Sequence, residues 1–219
     1  MNQYGLKNSD PAFQQGPAHQ ITPDEIDRYE IYNIIKPSIG TASIGTASGT
    51  AASLTLAAVA NPDYPRNLLL SPTGQAGTIV ITGKNQFGED VTETLSAAAA
   101  ATDAGTVVFA TVTSGAITKP GSAGTIHLGV AAGTASDSPI FGLPFKVGGT
   151  ADVKRATWID NGAAVTLGVN GAAPSVNTVV ASHSVRVEVS GGIAIADDFV
   201  IWAKPTYDAS SDTESQAGL

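Results

Sequence analysis

The sequence predicts an all-β fold, an antiparallel β-sandwich or barrel-like domain with an extended N-terminal arm. Three observations predict it. From residue 53 onward, short apolar runs alternate with polar residues at a period of two. Gly, Pro, Asn and Asp punctuate those runs at turn spacing. The composition, with 24 Gly, 12 Pro, 14% charged and 6% aromatic residues, suits tight turns and close-packed strands rather than long helices.

Residues 1–50 read as an arm followed by a low-complexity linker. Thr22-Pro23-Asp24-Glu25 is a helix-start signal, with a capping Thr, Pro at the first helical position and Glu three residues after the cap. It predicts a short helix over 23–29, then an extended stretch through Tyr32 and Ile34 that ends at Lys36-Pro37. Ordering such an arm costs about 1–2 kcal/mol per residue in backbone entropy. Ile26, Tyr29, Ile31, Tyr32, Ile34 and Ile35 are the apolar positions that would offset this, by docking on a partner or on the chain's own core. The repeated Gly-Thr-Ala-Ser units of residues 39–53 read as linker, with an edge strand as the alternative.

Residues 51–204 read as the β domain, with Gly148-Gly149 as the candidate boundary for a subdivision. Ser53–Leu56 alternates, and Thr78–Thr82 is a β-branched run that returns as Val91–Leu95 across the polar loop GKNQFGED. VVFATVT, residues 107–113, and Thr125–Val130 are further strands on either side of the Lys119-Pro120-Gly121 turn. Lys154–Ile159 and Val165–Val169 flank Asp160-Asn161-Gly162, a strong hairpin signal. Val185–Val189 places Arg186 and Glu188 on a wet face, and Phe199–Trp202 closes the series. The total is nine to eleven strands. The alanine run of residues 96–101 is too short for a helix between strands and reads as a loop or single turn. The acidic tail, residues 205–219, is expected to be disordered.

Bulk properties narrow the function. The chain has 219 residues and no cysteine, which excludes disulfides, thiolate metal sites and a cysteine nucleophile. A net charge of −8 with dispersed cations gives no basic patch for nucleic acid. No stretch has the length of a membrane span, and the N-terminus lacks the apolar core of a signal peptide. The expectation is a soluble protein, made in the cytoplasm, with neither nucleic-acid nor membrane partners.

No catalytic, cofactor or metal constellation is expected. His19, His127 and His183 are scattered, without metal-ligand spacing or a nucleophile elbow. Glu89-Asp90 with Glu93, and Asp197-Asp198, are the densest acids and read as solvated turns. Trp158 and Trp202 each end a β run, where core packing is the first reading and sugar stacking the second, with Phe87 and Tyr207 as other candidate sugar platforms.

The stretch NPDYPRNLLL, residues 61–70, is the most distinctive. Pro62 and Pro65 preset the backbone, Asp63 can tie a turn, and Arg66 offers donors to a carboxylate or a carbonyl. These four residues read as a structural corner leading Leu68-Leu69-Leu70 into the core.

ANPDYPRNLLL, GTIVITGKNQFGEDVTETL and TVVFATVTSGAIT, in that order, resemble a family of tailed-bacteriophage virion proteins. The shared features are an NPD-x-PRN corner, a Gly-Thr β run, a hairpin ending in Val-Thr-Glu and a Phe-Ala-Thr-Val strand. Ile140–Phe145 adds a similar Gly-Leu-Pro turn, so the likeness spans roughly residues 55–145. The resemblance implies a non-enzymatic structural protein on the outer capsid surface. The expected role is a decoration, or cement, protein partnered by the major capsid protein and by itself as a homotrimer, with its arm bridging neighbours. A head-fibre, tail-tube or tail-decoration protein, or a carbohydrate-binding module on the virion, is the alternative.

Overall fold

Period-two burial organises the chain. The computed structural model describes residues 30–35, 40–56, 59–131, 137–160, 162–189 and 198–205. In β5 (Gly77–Lys84), Ile79 and Ile81 are fully buried while Thr78, Val80 and Thr82 face outward. Its hairpin partner β6 (Asp90–Ala97) pairs with it from Lys84↔Asp90 to Gly77↔Ala97, and Gly88 takes a positive φ of 80° in the loop between them.

A first core lies between two four-stranded sheets. One has the order β2 (Gly40–Gly49), β9 (Gly124–Val130), β4 (Leu68–Thr73), β7 (Asp103–Ala104). The other runs β3 (Ser53–Thr55), β8 (Thr111–Thr118), β5, β6. Ile44, Leu68, Leu70, Ile79, Ile81, Phe109, Ile117, Ile126 and Leu128 fill the space between them. Leu68, Leu69 and Leu70 are all buried, so both faces of β4 are covered, as a continuous apolar run requires.

A second core belongs to one seven-stranded sheet. Its order is β1 (Glu30–Ile35), β15 (Asp198–Ala203), β11 (Val153–Asp160), β12 (Ala163–Val169), β13 (Ser175–Val179), β14 (Ser184–Glu188), β10 (Ile140–Gly142). All its pairs are antiparallel except β12 with β13. Phe199 of β15 and Phe141 of β10 stand several strands apart in that order, yet their ring centroids are 6.0 Å apart. The sheet therefore curls on itself around Phe141, Trp158, Leu167, Val176, Val185, Val187, Phe199 and Ile201. The predicted all-β, sandwich or barrel-like class describes both halves.

Several elements depart from the sequence reading. Residues 40–49, read first as linker with an edge strand as the alternative, form the edge strand β2 against β9. The register slips between Gly40 and Gly45, so Ile44 and Ala47 both turn inward and the alternation is broken. The 107–113 strand starts later, at Thr111, because Val107–Ala110 turn away to bridge Arg66. β7, β10 and β13 were not foreseen, and the described residues hold fifteen strands. The alanine run leaves β6 at Ala97 and turns, with the Ala101 N–H donating to the Ala98 carbonyl. The two cores change over between Val130 and Phe141, upstream of Gly148-Gly149. The helix expected over 23–29 and the tail beyond Pro205 lie outside the described residues.

Candidate functional site

The corner Pro62–Asn67 sits where the two cores meet. Asn61 Oδ1 accepts the Val112 N–H at 2.9 Å, and Asp63 Oδ1 accepts the Tyr64 N–H at 3.1 Å, which fixes the turn. The Pro65 carbonyl accepts the Gly142 N–H at 2.8 Å. Arg66 exchanges backbone hydrogen bonds with Phe109 on one side and bridges Phe141 on the other. Tyr64 packs against the second core.

The Arg66 side chain is completely buried. Its Nη2 donates to the Ala131 carbonyl at 2.8 Å, Nη1 lies 3.5 Å from Asp63 Oδ1, and the guanidinium stands 4.9 Å from the Phe141 ring centroid. Burial lowers its pKa to about 10 despite the opposing pull of Asp63, so it stays charged at neutral pH. Ala131, Asp63 and Phe141 hold it inside the fold, where it acts as a structural cation.

Asn67, also fully buried, completes the join. Its Nδ2 donates to the Gly105 carbonyl at 2.8 Å and to the Ser138 carbonyl at 3.2 Å, while its Oδ1 accepts the Ile140 N–H at 2.8 Å. The tip of the β5–β6 hairpin adds a second tie. Gln86 Nε2 donates to the Ser182 carbonyl at 2.8 Å, and the Phe87 ring meets the His183 imidazole edge-on at 5.6 Å. Gly142 admits this close approach, since a Cβ there would lie 2.8 Å from Val108 Cγ1 and 2.9 Å from Gln86 Cδ.

Asn67 and Gln86 are the two residues of this join to which the sequence alone assigned no role. The one local signal was an amide at the mouth of a triple-leucine run, where a polar group must find buried partners.

The carboxylates serve loops. Asp90 pairs with Lys84 at 2.8 Å across its hairpin, and Glu89 accepts from Asn85 Nδ2 at 2.7 Å. Glu93 Oε1 accepts the N–H groups of Thr106 and Val107 at 2.6 and 3.1 Å, holding the segment after β7. Burial pushes its carboxyl above the ordinary value of 4.5, outweighing those donated bonds, and Asp103 adds a smaller push in the same direction. The folded chain thus binds this proton more tightly than the unfolded chain. Glu93 favours the fold at low pH, and that contribution is lost as pH rises from about 4.5 through the raised folded value. Glu93→Gln is expected to remove this share of the pH dependence, seen as a smaller fall in urea midpoint between about pH 4 and about pH 7 than in the parent chain.

The remaining candidates separate. His127 is half-buried in β9, and His183 belongs to the join. Trp158 is buried and stacks on Phe199 with the rings 5° from parallel, so it is a core residue. Trp202 is half-buried, with the Arg155 guanidinium 4.8 Å from its ring centroid. Among the described residues there is no group of three His, Asp or Glu placed to hold a metal, and no helix long and apolar enough to cross a membrane.

Of the arm residues, Ile31, Tyr32, Ile34 and Ile35 lie in β1, opposite Trp202, Ile201, Phe199 and Asp198 of β15. Ile26 and Tyr29 lie outside the described residues, as do His19, Asp197 and Tyr207. The chain matches no family model, no curated protein and no solved structure.

Proposed function

We propose that this chain is a non-enzymatic virion structural protein of a tailed bacteriophage, a capsid decoration protein that binds the outer shell and bridges capsid subunits. One observation carries the reading. The motifs behind the resemblance are scattered over residues 61–145, yet they converge at one place. The corner supplies Arg66 and Asn67, the hairpin supplies Gln86 and Phe87, the Phe-Ala-Thr-Val segment supplies Phe109, and the Gly-Leu-Pro turn follows Phe141. That convergence supports a common scaffold whose signature residues make a rigid body.

A rigid β body with an N-terminal arm suits attachment to a repeating lattice. Copies held as a homotrimer would engage several major capsid protein subunits together, and multivalency turns weak single contacts into firm binding. The net charge of −8 accords with a partner that is protein rather than nucleic acid. The test is the amount of this chain relative to the major shell protein in purified particles, where the reading expects a fixed ratio of the same order as the shell subunit.

A further inference from the structure

We propose that β1 is an exchanged strand: in the assembled protein, Glu30–Ile35 of one copy lies on β15 of a neighbouring copy, in the register that the single chain shows on its own β15. This names the partner of the arm in the reading above, and its test is independent of any shell.

The topology carries the argument. Among the described residues, β1 lies at the edge of the second sheet and borders β15 and no other strand. The next element, β2, begins after only four residues and belongs to the first sandwich. Those four are Lys-Pro-Ser-Ile. A short connection between elements of different sheets is the kind of hinge that favours exchange. The contact itself is indifferent to its origin. All six residues of β1 pair with β15 without a bulge, from Glu30↔Ala203 to Ile35↔Asp198, and a second copy presents an identical β15. The receiving strand has an alternating pattern that buries Phe199, Ile201 and Ala203. At the far edge of the sheet, β10 is bridged by Arg66, so exchange through β1 leaves the join between the cores intact.

The absence of cysteine makes a clean experiment. Two full-length single variants, Asn33→Cys and Val200→Cys, are co-expressed and run on a non-reducing gel. These residues face each other in the β1–β15 register. The expected result is a disulfide-linked species of twice the chain mass, formed in the mixture far more than with either variant alone. The double variant is expected to give covalent oligomers rather than an internally closed monomer. Ile35→Cys with Asp198→Cys repeats the test if the first pair folds poorly. Inserting four Gly/Ser residues after Pro37 should return the double variant to an internally linked monomer. A double variant that links only within one chain overturns the proposal, and so does the absence of any link in both pairs.

Discussion

Arg66→Met is expected to lower stability by about 2–3 kcal/mol, or roughly 5–10 °C in melting temperature for a chain of this size. Methionine keeps much of the aliphatic stem but leaves the buried Ala131 carbonyl without its donor. An unsatisfied buried acceptor costs about 1–3 kcal/mol, and loss of the cation from the Phe141 ring adds up to about 2. Removing a desolvated charge gives some of this back, as the lowered pKa indicates. The Asp63 pair matters less. Asp63 is 26% exposed at 3.5 Å, so water takes over its carboxylate when the guanidinium leaves, and the lost pair adds little to this cost. Urea unfolding of Arg66→Met against the parent chain checks the size of the loss.

Asn67→Leu is expected to cost more, about 4 kcal/mol. The shapes are close, so the loss is almost wholly in hydrogen bonds. The Gly105 and Ser138 carbonyls and the Ile140 N–H would all be stranded in a fully buried place. The variant should also uncouple the two cores. Both tryptophans, Trp158 and Trp202, belong to the second sheet, so tryptophan fluorescence reports that half alone, while circular dichroism reports both. In the parent chain the two signals should follow a single transition. In Asn67→Leu they should separate.

What the sequence made legible was local. The β5–β6 loop and the Asp160–Gly162 turn were readable because turn chemistry is written in adjacent residues, and Gly88 and Gly162 take the positive φ that only glycine adopts easily. The alternations of β5 and β14 were readable because one face of each is buried. β2 was readable only as the second choice, an edge strand behind a linker, because its small residues give a weak pattern and its register slips. The strand expected over 107–113 was displaced by a tertiary contact, the Arg66–Phe109 bridge, which no window of sequence contains. The corner was legible as a turn with an arginine seeking an acceptor. Its role as a join was not, since Asn67 finds its partners 38, 71 and 73 residues away. Nothing in Glu30–Ile35 alone announced that this strand and β2, four residues on, serve different sheets.

The most direct test of the virion reading is a count. Quantitative mass spectrometry of purified particles gives the ratio of this chain to the major shell protein. The account predicts a reproducible ratio near that of the shell subunit, with the protein released before the shell itself breaks. A few copies per particle would place the chain on a tail or fibre and contradict the decoration role, and absence from the particle would contradict the virion reading altogether.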